Sequence, residues 1–431
     1  MNNAAEDVIS HVISEADFDS LPSDSINEIK RRIIDSIGVA RGALKSLPAK
    51  IAANTAKEYK GNALMLNGNR TSPDMAAFYN TLLIRYIDFN DTYLSKEPLH
   101  PSDMLGALFS VGSLKNVSLR DLFLPTALGY DISMKLCDST SLREKGYDHV
   151  NFLQVGATAA LSKMLNLSDA QTRNAISMTI IPHVALRESR VGALSMWKAG
   201  AAADASRVSV FASILARNGF TAPATPITGK MGFIKEIAPD MRLKSRAFDP
   251  YAITHTFIKK YPVEYHAQVA VDLALRLARR VNWPDIKKIE IITYEAGKSI
   301  LADSEKWDPT NKETADHSLP FIVCSALAHK DFWLENYLKL KDPATRKLMR
   351  LTKVYENSEY SKVYPTSLPT KIKIYTRKEV YEDKLDLPRG HWKNPMSNEE
   401  LKAKFVRLGG APKDFDDILK TDGKRVSSLA K

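Results

Sequence analysis

Residues 88–106, Asp88-Phe-Asn-Asp-Thr-Tyr-Leu-Ser-Lys-Glu-Pro-Leu-His-Pro-Ser-Asp-Met-Leu-Gly106, join two apolar runs. The first run, Met75 to Ile87, has helical periodicity, and the second begins at Leu105-Gly-Ala-Leu-Phe-Ser-Val111. Two buried helices joined by a segment dense in carboxyl, hydroxyl and imidazole groups place proton-carrying chemistry on a rigid scaffold.

Helical patterning extends outward from this segment. Ser25-Ile-Asn-Glu28 reads as a capping box opening a helix with Ile26, Ile29, Ile33, Ile34 and Ile37 on one face. Ser168-Asp-Ala-Gln171 opens another, and Ser118 to Leu136 forms a third that Pro125 bends or restarts. The runs Leu153–Leu165 and Trp197–Arg217 are rich in Ala, so their helices can approach closely. After His266 the pattern changes. Gln268 to Arg280 is helical, whereas Ile286–Thr293, Lys371–Thr376 and Val380-Tyr381 alternate as strands do, with helices at Ser318–Ala328 and Pro343–Leu351 between them. Ser397-Asn-Glu-Glu400 caps a final helical tail. The expectation is a mainly α protein: a large all-helical domain over residues 1–262, a smaller α+β lid domain over 263–399, and residues 400–431 packing back on the first.

Composition narrows the chemistry. With 44% hydrophobic and 26% charged residues over 431 positions, the chain reads as an ordinary globular protein. Two cysteines, Cys137 and Cys324, exclude a disulfide framework and a thiolate-held iron–sulfur cluster. Met1–Asp7 shows no basic-then-apolar signal pattern, and no window reaches the ~18 apolar residues of a membrane span, so a cytoplasmic protein is expected. The net charge of +11 is spread over scattered pairs such as Lys259-Lys260 and Arg279-Arg280. That distribution suits a solvated surface, with anion steering as the second reading, and lacks the clustered stripe of a nucleic-acid module. No dinucleotide, Walker, zinc-protease or nucleophile-elbow motif occurs, and His11, His183, His255, His329 and His391 show no metal-ligand spacing.

Six ordered segments carry a resemblance. They are residues 88–106, Gly146-Tyr-Asp-His-Val-Asn151, Ser195-Met-Trp-Lys-Ala-Gly-Ala-Ala-Ala-Asp204, Tyr261-Pro-Val-Glu-Tyr-His-Ala-Gln268, Glu313-Thr-Ala-Asp-His-Ser-Leu-Pro-Phe321 and Pro388-Arg-Gly-His-Trp-Lys-Asn-Pro-Met396. Together they resemble the MmgE/PrpD family, which contains 2-methylcitrate dehydratase and cis-aconitate decarboxylase. The resemblance implies a homodimer with an active site between helical domain and lid, a tricarboxylate substrate, and neither metal nor organic cofactor. It further implies dehydration of 2-methylcitrate to 2-methyl-cis-aconitate in propionate breakdown. Citrate dehydration, cis-aconitate decarboxylation, or a catalytically inactive family member serving as a binding module are the alternatives.

Removing a proton beside a carboxylate builds negative charge on an anion, so such a site needs a base, an acid for the departing hydroxide, and cationic donors. By resemblance, Asp88, Thr92 and His100 occupy first-loop site positions, with Asp88 and Thr92 sharing a helix face if the first helix continues through them. Asp88 and Asp91 also suit Asx-turns, and Ser102-Asp103 suits a helix cap. His149 follows the dehydratase spelling Gly-Tyr-Asp-His rather than the decarboxylase branch's Gly-Phe-His-Pro. His100 and His149 form the acid/base candidates, with their assignment open. Lys198, starting a helix of small residues, is the main cationic candidate. His266 and Arg190 are carboxylate-binding candidates, and Asp316 and His317 cap the Ser318 helix and orient the site. Phe321 stands where the family commonly has tyrosine, which removes a hydroxyl; Met104 and Ala199 are milder departures.

Overall fold

A computed structural model describes residues 5–192, 194–243 and 247–430. The chain is mainly helical with one small four-stranded sheet, and it divides into two compact units. The first comprises residues 1–191, 196–256 and 397–431; the second comprises 192–195 and 257–396. No helix among the described residues is long and apolar enough to cross a membrane.

The first unit is helix packed on helix. Its main elements are α1 (Ser23–Ala43), α2 (Pro73–Tyr86), α3 (Leu105–Lys115), α4 (Phe123–Ser139), α5 (Val150–Leu165), α6 (Asp169–Ile180) and α7 (Trp197–Arg217). Helix α2 packs on α3 and α7, α5 lies against α4 and α7, and α6 also contacts α7. Small residues permit these approaches: a methyl group at Gly106 would collide with Thr81 of α2, and one at Gly156 with Ser133 of α4. The α1 stripe Ile29, Ile33, Ile34 and Ile37 is buried, each side chain contributing roughly 1.5–3 kcal/mol relative to exposure.

Two start signals differ in outcome. Ser168 forms the expected capping box with Gln171. Ser25 does not cap α1, which starts two residues earlier behind Pro22, and Ser25 is instead buried in the first turns. Glu28 pairs with Arg31 and Arg32 rather than reaching back to the helix start. Pro125 restarts rather than bends its helix: a 3₁₀ turn at Arg120–Leu122 precedes α4, whose third residue it is.

The C-terminal helices Asn398–Arg407 and Pro412–Lys420 both contact α1. Ser397 and Glu400 complete the expected capping box. Lys404 reaches from there to buried Asp35 at 2.6 Å and donates to the Phe89 carbonyl at 2.9 Å.

In the second unit, α8 (Gln268–Leu277) and α9 (Leu319–His329) contact each other, and α10 (Pro343–Arg350) packs on α9. The sheet has strands β1 (Lys288–Thr293), β2 (Thr352–Glu356), β3 (Thr370–Tyr375) and β4 (Val380–Leu385), in the order β2-β1-β3-β4. The β1–β2 pair is parallel and the other two pairs are antiparallel, so α9 and α10 lie within the crossover a parallel pair requires. Ile289 faces Ile374 and Ile291 faces Ile372, giving the buried side of the sheet. Edge strand β4 carries Glu382, Asp383 and Lys384, charges that discourage further pairing.

Candidate active site

The 88–106 segment is more ordered than a loop. It holds a two-residue hairpin, Tyr93–Leu94 against Pro98–Leu99, followed by a 3₁₀ turn Pro101–Met104 leading into α3. Helix α2 ends at Tyr86, and Asp88 adopts a left-handed backbone with φ of 53°. Asp88 and Thr92 therefore do not share a helix face. Aspartate tolerates this conformation better than most residues, because its short side chain satisfies local partners. Here the carboxylate is 2.6 Å from Arg85 Nη1 and 3.3 Å from Lys198 Nζ. Both cations are buried, Lys198 with 1% exposure although its neighbour Trp197 is 55% exposed. A buried lysine on a buried carboxylate is not a snorkelling surface lysine.

Asp91 and Asp103 organise the segment from beneath. Asp91 accepts from the Ser102 backbone at 3.0 Å and from the Tyr130 hydroxyl at 2.8 Å, and lies 3.6 Å from Arg32. Asp103 accepts from Asn90 at 2.9 Å and lies 3.8 Å from Arg85. Burial raises the Asp103 carboxyl to about 7 against the opposing pull of Arg85. Neither Ser102 nor Asp103 caps α3, contrary to the sequence expectation, because both lie inside the 3₁₀ turn and face this network.

His100 Nδ1 sits 2.8 Å from the Asp91 carbonyl and 3.3 Å from Thr92 Oγ1. A carbonyl only accepts, so Nδ1 carries a hydrogen. His149, preceding α5, meets His100 edge-on with ring centroids 5.4 Å apart. Its Nδ1 is 3.0 Å from Asp148 Oδ1, and its Nε2 is buried without a hydrogen-bond partner among the described residues. Burial lowers the His149 pKa, with Arg190 and Arg85 acting in the same direction and Asp148 opposing.

Arg190, expected in a polar loop, ends a 3₁₀ turn and directs Nε onto Asp148 Oδ2 at 2.8 Å. Burial alone would raise the Asp148 carboxyl, but Arg190 and His149 hold it well below the usual range. The first unit thus brings together Asp88, Thr92, His100, His149, Arg190 and Lys198. Sequence reading missed Asp148 and Arg85. Asp148 stood in the quoted Gly-Tyr-Asp-His segment, while Arg85 was hidden within an apolar helical run.

The second unit carries its own polar cluster. Glu264 accepts from the His266 backbone at 2.7 Å, and His266 Nδ1 lies 2.6 Å from the Tyr294 hydroxyl. Tyr364 stacks on Tyr294 at 5.1 Å. Asp316 does not cap α9; Ser318 does so itself by accepting from Phe321 N. Asp316 instead bridges His317 Nδ1 and Lys312 Nζ, each at 2.5 Å. Phe321 is fully buried and stacks on Tyr337, so its ring serves packing. Lys259, read from sequence only as scattered charge, is also fully buried.

A mainly helical chain with this small α+β unit belongs to the MmgE/PrpD family. Residues 7–245 match the MmgE/PrpD N-terminal domain and residues 261–413 the C-terminal domain. Among curated relatives, the mitochondrial 2-methylcitrate dehydratase of Yarrowia lipolytica is 27% identical over 77% of this chain and 68% of its own length. The 2-methylcitrate dehydratase of Cupriavidus necator is 28% identical over 59% of this chain and 56% of its own length, so the match spans little more than half of that relative. An alkylcitrate dehydratase, phiI, from a fungal species is 28% identical over 82% of this chain and 78% of its own length. These relatives are, by name, dehydratases, which are carbon–oxygen lyases.

Proposed function

We propose that this protein is a carbon–oxygen lyase that dehydrates 2-methylcitrate to 2-methyl-cis-aconitate, in propionate catabolism, by acid/base chemistry needing neither metal nor organic cofactor. The observation that carries the reading is the pair His100 and His149, with ring centroids 5.4 Å apart. In the reaction a base removes the proton from the methyl-bearing carbon beside a carboxylate. The C–H electron pair becomes the new C=C bond, the neighbouring C–O bond breaks, and an acid protonates the departing hydroxide to give water. Two imidazoles, one neutral to accept the proton and one protonated to donate, can divide these transfers, since proton transfer by positioned groups contributes about 10²–10⁴-fold each.

Lys198 stabilises the charge that develops on the carboxylate, and Arg190 and Thr92 bind substrate oxygens. Asp88 sets the Lys198 ammonium through their 3.3 Å contact and meets the hydroxyl end of the substrate. His266 and His317 of the second unit are proposed as further substrate-binding groups. A homodimer in the cytoplasm completes the proposal; its two thiols, both buried and unpaired, suit a reducing compartment.

A second reading has support of its own. The alkylcitrate dehydratase overlaps 82% of this chain, more than the 77% covered by the Yarrowia lipolytica enzyme, which favours testing longer alkyl substituents. Purified protein incubated with 2-methylcitrate, longer alkylcitrates, citrate and cis-aconitate, with ultraviolet and mass-spectrometric detection of products, separates the possibilities. The expected result is fastest formation of 2-methyl-cis-aconitate. Itaconate and CO2 from cis-aconitate would replace the dehydratase by the decarboxylase, and no turnover by folded protein would leave a binding module.

A further inference from the structure

We infer that Asp148 is a positioning residue that fixes His149 as the proton-abstracting base and aims Arg190 at the substrate carboxylate. This deepens the dehydratase reading and rests on it for its kinetic arm. The carboxylate is buried and fully divided between its partners. Oδ1 faces His149 Nδ1 at 3.0 Å, while Oδ2 accepts from Arg190 Nε at 2.8 Å and from Ser189 Oγ at 2.7 Å.

The backbone around it is clamped. Asp148 N donates to the Ala185 carbonyl at 3.0 Å, and Arg187 N to the Gly146 carbonyl at 2.9 Å. Asn151 bonds the Asp148 carbonyl at 2.8 Å and both the N–H and the carbonyl of Ala185 at 2.9 Å. The segments on either side of the carboxylate are therefore held in register, and the two side chains it grips inherit that order.

A carboxylate accepts and does not donate, so the imidazole hydrogen is on Nδ1 and the lone pair of a neutral ring is on Nε2. That Nε2 atom is buried and has no hydrogen-bond partner among the described residues, as a base awaiting a substrate proton should be. The charged groups acting on this ring are Asp148, which favours its protonation, and Arg190 and Arg85, which disfavour it; His100 meets it edge-on. With burial added, the resting ring is neutral. Arg190 shows the same division: its Nε is committed to Asp148 while its Nη2 is buried and unpartnered among the described residues. A guanidinium gripped on one edge presents the other to an anion. During turnover the substrate C–H proton passes to His149 Nε2, the C–H pair forms the double bond, the C–O bond breaks, and the departing hydroxide takes a proton from the acid partner, a role that falls to His100 in its protonated form.

The test combines a substrate-free and a kinetic arm. Imidazole ¹⁵N NMR of the unliganded wild-type protein at neutral pH should show His149 neutral with hydrogen on Nδ1. Hydrogen on Nε2, or a charged ring, would overturn the assignment whether or not the substrate is correct. In Asp148→Asn the amide cannot accept from both partners, so the tautomer preference should weaken and kcat/KM fall about 10²–10⁴-fold. Removing a group that favours the charged imidazole should also move the acid limb of the pH–rate profile to lower pH. Asp148→Glu should recover part of the rate. Arg190→Lys should raise KM and leave that limb in place. A folded Asp148→Asn enzyme with an unmoved acid limb and unchanged tautomer would reduce Asp148 to a structural role. Absence of tricarboxylate turnover in the wild type would remove the dehydratase reading while leaving the tautomer result intact.

Discussion

Glu97 shows how far burial, helped by the nearby Asp148 charge, can move a single group. It accepts from Arg143 N at 2.6 Å, and burial pushes its carboxyl to about 8 despite that bond. Its unfolded value is 4.5, so the unfolded chain releases this proton first as pH rises. The folded state is therefore favoured by this group at low pH and loses that advantage as pH climbs from about 5 through 8, by a few kcal/mol in order of magnitude. Glu97→Gln retains a carbonyl for Arg143 and cannot ionise. Urea midpoints of variant and wild type measured across this range should diverge in the variant's favour with rising pH; a constant difference would show that Glu97 ionises normally. Residue identity was the legible part of the site. Asp88, Thr92, His100, His149, Arg190 and Lys198 stand out by type and motif, and the first unit gathers them. Their geometry was less legible: periodicity ends the helical run at Ile87, next to the observed end of α2 at Tyr86, but gives no sign that Asp88 turns left-handed. Asp148 is illegible in the sequence because an acid beside a histidine reads as a turn residue, whereas its partner Arg190 arrives from 42 positions away.

At the scale of elements, local signals served where local chemistry decides. The capping boxes at Ser168 and Ser397 and the alternating burial of β3 follow from spacing alone. Strand β2 has no legible signature, because Thr352-Lys-Val-Tyr-Glu356 buries only Thr352 and leaves no apolar alternation to read; its place comes from pairing with β1. The Ser25 box failed because its serine is buried by packing that the box pattern does not encode. Close helix approach gives a sharper test. Gly106→Ala adds a better helix former, worth about 1 kcal/mol, yet its methyl would lie 2.5 Å from Thr81 N and 2.8 Å from Thr81 Cα. Backbone cannot swing aside as a side-chain tip can, so overpacking should prevail with a net loss of about 1–3 kcal/mol. Gly423→Ala, with nothing within 4 Å, is the matched control and should change the urea midpoint little. Equal midpoints for both variants would mean that α2 and α3 have room to separate.

Across the whole molecule, the first unit is closed by residues far apart in sequence. The two-class division of helical and α+β segments was legible from periodicity, because the period changes after His266. The hydrogen bond and ion pairs that tie the C-terminal residues to α1 were not, because charges on a helix read as a solvated face until their partners are known. Arg31 meets Asn398, Lys30 meets Asp422, and Arg41 meets Asp414. Lys404 contributes most to this closure, since it neutralises buried Asp35, bonds the Phe89 carbonyl and lies over the Phe89 ring at 3.7 Å, next to Asp88. Burial raises the Asp35 carboxyl even with Lys404 opposing it. Lys404→Met keeps most of the apolar stem and removes that opposition, leaving a buried carboxylate short of charge compensation at a cost of about 3–5 kcal/mol near neutral pH. The folded Asp35 pKa then lies further above its unfolded value, so the penalty grows as pH rises and fades below about 4. Asp35→Asn combined with Lys404→Met should recover most of the loss, because the cost comes from the unpaired charge rather than from the missing lysine. A double variant no more stable than Lys404→Met alone would instead place the energy in the Phe89 contacts, and the 88–106 segment would then depend on the C-terminal helix directly.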